Sequence, residues 1–153
     1  MVTVRRLGRS DADSVADALF ELVARFATSF APERSAFEVS LRAVLADDSA
    51  WLGVAHEEDG GDEAADRPVP LAGYCLGFDH PAFYANGRVA WVEEIMVRED
   101  LQGGGVGRSM MAAFEEWAAV RDDRLVGLAT RRAAPFYAAL GYEDSAAYFR
   151  KLL

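Results

Sequence analysis

Cysteine, lysine and histidine are scarce in this chain of 153 residues. Cys75 is the only cysteine, which excludes a disulfide framework, and its apolar neighbours favour a buried structural thiol over a nucleophile. His56 and His80 are isolated in the sequence, so no pair of metal ligands can be assembled from them and we predict no metal site. Lys151 is the only lysine, and every other basic residue is an arginine.

Positive charge is in short supply as well. The chain has 16 Lys and Arg residues against 25 Asp and Glu residues, which gives a formal net charge of −9. A nucleic-acid partner is disfavoured because neutralising phosphates requires a basic face. A neutral or cationic partner is easier to accommodate.

Long apolar runs are absent too. No stretch approaches the roughly 20 apolar residues that a membrane-spanning helix needs, and the opening segment Met1 to Arg6 is too short for the apolar region of a signal peptide. Together with the single cysteine, this predicts a cytoplasmic protein without a membrane partner.

The length fits one domain, which we expect to cover residues 1–153. A chain of this size buries enough surface to form a core without disulfides or a structural metal. Apolar residues recur at helical spacing from Val15 to Phe26 and again from Phe37 to Leu45, whereas β-branched and aromatic residues mark the strands. The acidic segment Glu57 to Asp66 predicts a solvated surface connection in preference to an interaction site. The expected order is β-α-α-β-β-β-α-β-α-β, with strands near 2–7, 51–55, 71–78, 88–97, 125–128 and 147–152, and it predicts one α+β domain with a mixed sheet.

A glycine-rich loop, Gln102-Gly103-Gly104-Gly105-Val106-Gly107, separates the fourth strand from the third helix. Glycine lets a ligand approach the backbone, and a helix N-terminus offers unpaired N–H groups, so a diphosphate would fit there. A merely flexible turn is the alternative. A P-loop is excluded because no Gly-Lys-Ser/Thr follows, and a dinucleotide fingerprint fails because Met110 stands where its third glycine belongs.

The loop resembles the [QR]-x-x-G-x-[GA] motif of the GNAT superfamily of N-acetyltransferases. Val92-Glu93-Glu94-Ile95-Met96-Val97 is similar to the acidic fourth strand of that family, and Ala133-Ala134-Pro135-Phe136-Tyr137-Ala138-Ala139-Leu140-Gly141-Tyr142 is similar to its A-x-x-F-Y-x-x-x-G-[FY] segment. The element order extends the resemblance to essentially the whole chain. It implies an αβα layered fold with a mixed, largely antiparallel sheet and a V-shaped splay between strands 4 and 5.

The resemblance also implies acetyl-coenzyme A as co-substrate, with no metal. In the family, backbone amides of the loop bind the pyrophosphate, and the fourth strand pairs with the pantetheine arm as though the arm were an extra strand. Thr130 stands where the family often carries an asparagine that contacts this arm, and threonine keeps a hydroxyl but loses the amide. The implied coenzyme-binding residues are Ile95, Met96, Val97, Gln102, Gly103, Gly104, Gly105, Val106, Gly107, Arg108, Thr130 and Phe136.

Three residues are implied for proton transfer. Tyr137 matches the family tyrosine that acts as general acid beside the sulfur, although packing beside Phe136 is the alternative role. Glu93 matches a glutamate that some polyamine-like members use as general base. Glu94 faces the opposite side if the strand alternates regularly, and a β-bulge would swap the two. For either glutamate, an ordinary surface carboxylate is the competing interpretation.

The resulting hypothesis is an N-acetyltransferase that moves acetyl from acetyl-coenzyme A to a primary amine by direct attack. We expect the first two helices, the segment Phe78 to Tyr84, Trp91 and the chain end to line a site for a small cationic amine, such as a polyamine or an amino sugar. The alternatives are a protein N-terminal or lysine acetyltransferase and a non-catalytic acyl-coenzyme A sensor. We also expect that the protein can form a homodimer.

Overall fold

The computed structural model describes residues 1–26, 29–57 and 70–153. The predicted acidic connection therefore lies outside the described residues, except for Glu57. The helices and strands follow the predicted order up to the last helix, with three short 3₁₀ turns between them. They are β1 (Val2–Arg6), α1 (Ala12–Phe26), α2 (Arg34–Ala46), β2 (Ala50–Glu57), β3 (Leu71–Ala82), β4 (Gly87–Val97), α3 (Val106–Val120), β5 (Val126–Leu128) and α4 (Ala134–Ala139).

The sheet runs in the order β1-β2-β3-β4-β5. All neighbouring strands are antiparallel except β4 and β5, which are parallel. The β4–β5 pairing joins only Ala90–Val92 to Val126–Leu128, so the two strands part beyond Val92. The predicted mixed, largely antiparallel sheet and its splay between strands 4 and 5 are confirmed.

The final predicted strand, at 147–152, is absent. Residues 142–153 carry no regular secondary structure, and Tyr148 and Phe149 are exposed. A strand requires a neighbouring edge with which to exchange backbone hydrogen bonds, and β5 ends after three residues. The tail instead passes the end of α1, where Arg150 Nη1 donates to Ser29 Oγ at 3.0 Å.

Each face of the sheet has its own helical layer, because strand side chains alternate between the two faces. Helices α1 and α2 cover one face through Leu19, Leu22 and Leu41, which pack against Val54 and Tyr74. On the other face, α3 and α4 pack through a second buried cluster that includes Cys75, Met110, Phe114, Trp117 and Tyr137. Cys75 is buried, as predicted, and burial raises the pKa of its thiol to about 12, which disfavours the reactive thiolate.

Gly77 allows α3 to approach the sheet closely. A Cβ at this position would collide with the Phe114 ring and lie 2.7 Å from the Trp91 carbonyl oxygen. We therefore expect Gly77→Ala to destabilise the protein by about 1–3 kcal/mol through overpacking, seen as a lower Tm in thermal denaturation followed by circular dichroism. Gly8→Ala is the matched control, since its Cβ meets only Asp11 Oδ2 at 3.8 Å. Equal Tm values for the two variants would contradict this account of Gly77.

Candidate active site

Two glycines shape the start of α3. Gly103 and Gly105 have φ angles of 81° and 89°, in the left-handed region that residues with a Cβ rarely adopt. Gly105 directly precedes α3, and no described side chain caps the helix there. The first N–H groups of a helix have no intrahelical partner, so the loop directs backbone donors and the positive end of the helix dipole outwards. This arrangement can bind an anion such as a diphosphate.

The loop is held against the end of β4. The Gln102 side chain donates from Nε2 to the Val97 carbonyl oxygen at 3.2 Å. At Gly107, a Cβ would lie 3.2 Å from Phe136 Cζ and 3.6 Å from Val97 Cγ2, so a larger residue would press on both neighbours. The glutamine thus ties the loop to the strand, and the small residue brings α3 close to α4.

A cleft of about 480 Å³ opens between the loop, β4 and α4, and we call it the loop cleft. On its β5 side, β4 has no strand partner from Glu93 to Val97 within the described residues. Its peptide groups there are available to an extended ligand, as in β-augmentation. The loop cleft is lined by Ile95, Val97, Leu101, Gln102, Gly103, Gly105, Gly107, Arg108, Ala133, Phe136 and Tyr137.

A second cavity, of about 700 Å³, lies where β4 and β5 part, and we call it the splay cavity. It shares Ile95, Ala133 and Tyr137 with the loop cleft, so the two spaces adjoin. Its other walls come from α1, β4, β5, the connection between β5 and α4, and the tail. These residues are Phe26, Trp91, Val92, Glu93, Leu128, Ala129, Thr130, Arg131, Ala146, Ala147, Tyr148 and Arg150.

A β-bulge separates the two glutamates of β4. Leu76 of β3 pairs with Glu94 and Gly77 pairs with Val92, so Glu93 is the extra residue. Glu93 is exposed and lines the splay cavity. Glu94 instead lines a third space of about 410 Å³ between α1, α2 and the sheet, which we call the helix cavity. The bulge is therefore present, and with it Glu93 lines the cavity that Tyr137 also lines, whereas Glu94 lies on the α1–α2 side of the sheet.

Glu94 has a partner that sequence reasoning missed. The Tyr74 hydroxyl donates to Glu94 Oε2 at 2.8 Å. Burial raises the pKa of Glu94, and the nearby Glu93 charge adds to the rise, whereas the hydrogen bond from Tyr74 opposes it. Because Tyr74 lies on β3, 20 residues before Glu94, only the strand register could have revealed this pair.

Tyr137 lies where the loop cleft and the splay cavity meet. The centroid of its ring is 4.9 Å from that of the Phe136 ring and 5.9 Å from that of the Tyr142 ring, and the residue is 7% exposed. Burial raises the pKa of Tyr137, with a smaller contribution from Cys75. The phenol is therefore protonated at neutral pH and can donate a proton.

Several predicted site residues do not line the loop cleft. Val106 is buried in the core and Met96 packs against the α1–α2 layer, so any coenzyme contact by Met96 would use its peptide groups. Gly104 lies outside the lining of the loop cleft. Thr130 borders the splay cavity, and its hydroxyl accepts the N–H of Ala133 at 3.0 Å. No residue from 78 to 84 lines the splay or helix cavity, because that end of β3 pairs with the start of β4.

Residues 1–26, 29–57 and 70–153 contain no group of three or more His, Cys, Asp and Glu residues that could hold a metal ion. None of the helices there has the length and apolar character needed to cross a membrane.

Comparison with known proteins defines the family. The family model of the acetyltransferase (GNAT) domain matches residues 48–144, which span the loop, both β4 glutamates and Tyr137. The chain therefore belongs to the GNAT acetyltransferase family, whose activity is acetyl-coenzyme A-dependent N-acetyl transfer. A search of curated protein sequences finds no significant match.

Solved structures share the fold along the whole chain. Glucosamine-6-phosphate N-acetyltransferase from Arabidopsis thaliana is 17% identical with a TM-score of 0.78, and the alignment covers 99% of this chain and 98% of that one. An aminoglycoside acetyltransferase from an uncultured soil metagenomic sample is 15% identical with a TM-score of 0.74, covering 99% and 96%. The enzyme AAC(6')-Iy, in complex with the bisubstrate analogue CoA-S-monomethyl-acetylneamine, is 15% identical with a TM-score of 0.75, covering 100% and 99%. At these identities the likeness shows a common fold.

Proposed function

We propose that the protein transfers the acetyl group of acetyl-coenzyme A to the primary amine of a small molecule by direct attack. The observation that carries this proposal is the position of Tyr137 between the loop cleft and the splay cavity. The donor would occupy the loop cleft, and the amine of the acceptor would face the splay cavity. Their reacting ends would meet beside the phenol.

The donor site is built mainly from backbone groups. The N–H groups at the start of α3 would bind the diphosphate, and Arg108 adds a positive charge at the cleft. The unpaired edge of β4 would hydrogen-bond the pantetheine arm through the peptides of Ile95, Met96 and Val97. Phe136 and the other apolar walls would exclude water from the arm.

Two proton movements are needed. The acceptor ammonium must lose a proton before it can attack, and the departing thiolate is stabilised by an adjacent acid. Glu93 lines the same cavity as Tyr137, so we assign the proton-accepting role to Glu93, directly or through water. Tyr137, kept protonated by burial, supplies the acid. Glu94, which accepts a hydrogen bond from Tyr74, is assigned to binding the acceptor cation.

A small acceptor is favoured over a protein. The tail residues Ala146, Ala147, Tyr148 and Arg150 border the splay cavity and narrow the path that an extended peptide would take. The names of the glucosamine-6-phosphate and aminoglycoside enzymes that share this fold also indicate small amine acceptors. An assay of free thiol release across a panel of small amines and N-terminal peptides, with mass spectrometry of the products, tests this choice. Acetylation of peptides alone would contradict it.

The two glutamates are distinguished by the pH dependence of kcat/KM for the amine. We expect Glu93→Gln to lower kcat/KM about five- to tenfold below pH 7, where free amine is scarce and a base matters most. Because the pKa of Glu94 is raised, wild-type amine binding is present above that pKa and weakens as the pH falls through it. Glu94→Gln should abolish this acid limb and raise KM for the amine.

The control for both substitutions is Glu116→Gln, which changes an exposed carboxylate on α3 that lines none of the three cavities. If the Glu93→Gln and Glu116→Gln profiles both overlay that of the wild type, solvent accepts the proton and the assignment of Glu93 is wrong.

A further inference from the structure

The helix cavity has walls of a distinctive chemistry. Most of the lining side chains are apolar, and the two charged ones, Glu33 and Glu94, are both carboxylates. No cation lines the cavity within the described residues. Its volume of about 410 Å³ falls in the range of roughly 300–1,000 Å³ that is typical of small-molecule sites. The apolar walls include Leu19, Val23, Phe37, Leu41, Val44, Leu52 and Leu76.

The carboxylate beside the sheet is arranged to receive a cation. Glu94 Oε2 accepts the hydrogen bond from Tyr74, and Oε1 accepts no hydrogen bond from the part of the chain that the structure describes. The other carboxylate, Glu33, is exposed at the α2 end of the cavity. A ligand that enters between the helices therefore meets one partly buried negative charge, surrounded by apolar side chains.

We propose that the helix cavity holds the apolar body of the acceptor, and that the acceptor is a primary amine with a single positive charge. This inference rests on the proposed function, because it names the substrate class of the same transferase. It replaces the polyamine or amino sugar expected from the acidic composition with an alkylamine or arylalkylamine.

The lining chemistry discriminates among amines. The second ammonium group of a diamine would lie among apolar walls unless it reached Glu33, the solvent-exposed carboxylate at the α2 end of the cavity. A charge left among apolar walls without a partner is strongly disfavoured. The hydroxyl groups of an amino sugar would find few partners, since Ser40 and Tyr74 carry the only hydroxyls among the described residues of the lining. An alkyl or aryl chain, by contrast, gains from burial in proportion to the apolar area it removes from water.

The bulge in β4 lies between the helix cavity and the splay cavity. Glu93 and Glu94 are consecutive residues, yet one lines the splay cavity and the other lines the helix cavity. Phe26 lines the splay cavity and Tyr74 lines the helix cavity. Their rings are arranged edge to face, with the ring centroids 6.3 Å apart. In this proposal the amine nitrogen lies at the bulge and faces the splay cavity, where Tyr137 lies, while its apolar body occupies the helix cavity.

The test is a matched pair of acceptors, n-hexylamine and 1,6-diaminohexane, assayed with acetyl-coenzyme A alongside 2-phenylethylamine and glucosamine. These compounds separate apolar surface from extra charge and from hydroxyl groups. We expect kcat/KM for hexylamine and phenylethylamine to exceed that for the diamine and for glucosamine by at least about tenfold.

A variant that narrows the helix cavity tests whether the apolar body of the amine binds there. Ser40 is exposed on α2 and lines the helix cavity, so Ser40→Phe should raise KM for hexylamine about fivefold without changing KM for acetyl-coenzyme A. Val39→Phe is the matched control, because Val39 is 71% exposed on the same helix and does not line the helix cavity. An equal rise in KM in both variants would overturn the assignment of the body to this cavity.

The outcomes separate this inference from the proposed function. Efficient acetylation of diaminohexane or glucosamine, at or above the rate with hexylamine, overturns the inference but leaves a small-amine acetyltransferase. If none of the small amines is acetylated, the inference and the small-molecule acceptor both fail. Calorimetric titration with acetyl-coenzyme A then shows whether the donor site in the loop cleft still stands.

Discussion

Replacing Tyr137 with phenylalanine is expected to lower turnover about 30- to 100-fold, which corresponds to roughly 2–3 kcal/mol of barrier. The substitution keeps the ring contacts with Phe136 and Tyr142 and removes only the hydroxyl. A thiolate is already a fairly stable leaving group, so the loss should fall near the lower end of general-acid effects, which are typically about 10²–10⁴-fold. Single-turnover measurements with saturating amine report this step.

The neighbouring Tyr142 provides the matched control. Its hydroxyl donates to Glu115 Oε1 at 2.7 Å, and the residue lines neither the loop cleft nor the splay cavity. Tyr142→Phe should therefore leave turnover close to that of the wild type and act on stability alone. Acetyl-coenzyme A affinity and Tm should remain nearly unchanged in Tyr137→Phe. If its turnover stays within about twofold of wild type when chemistry limits the rate, Tyr137 is a packing residue and water protonates the thiolate.

The second large effect is expected at Gly105. Its φ of 89° belongs to the region that β-branched residues avoid most strongly, so Gly105→Val should rearrange the loop that precedes α3. A Cβ added at this position would meet no atom of the described residues within 4 Å, which isolates the backbone conformation as the cause. We expect the affinity for acetyl-coenzyme A to fall about 30-fold, equivalent to about 2 kcal/mol, in a calorimetric titration.

Two further variants separate conformation from charge. Gly105→Asn should retain most of the affinity, because asparagine enters the left-handed region more readily than valine does. Arg108→Ala should weaken binding less than Gly105→Val, since the diphosphate is held chiefly by peptide N–H groups. Unchanged affinity in a folded Gly105→Val variant would remove the loop from the donor site.

Much of the fold could be predicted because its signals are local. The spacing of Val15, Leu19 and Leu22 on α1, and the β-branched and aromatic residues of β4, reflect the periods of a helix and a strand. The prediction of the last strand was wrong because its formation depends on the assembled sheet and not on a local signal. The composition of 147–152 is compatible with a strand, but a strand forms only beside an available edge, and the three-residue length of β5 is a property of the assembled sheet.

The candidate site also has parts that a local sequence signal predicts and parts that depend on tertiary structure. The loop was predictable because Gly103 and Gly105 have the left-handed backbone conformations that glycine permits, and because the motif is contiguous in sequence. The roles of Glu93 and Glu94 stayed open, since one extra residue in β4 changes which cavity each carboxylate lines. Tyr74 was missed because its hydrogen bond to Glu94 crosses between strands.

The sequence by itself determined the family, the order of elements up to α4 and the position of the donor loop, because each depends on residues that are neighbours in the chain. Only the tertiary structure decided where the three cavities lie, which glutamate lines which of them, and that the helix cavity has apolar walls. The walls of the splay and helix cavities come from segments far apart in sequence. Their shape therefore depends on how α1, α2 and the tail pack against the sheet, and composition alone does not specify that packing.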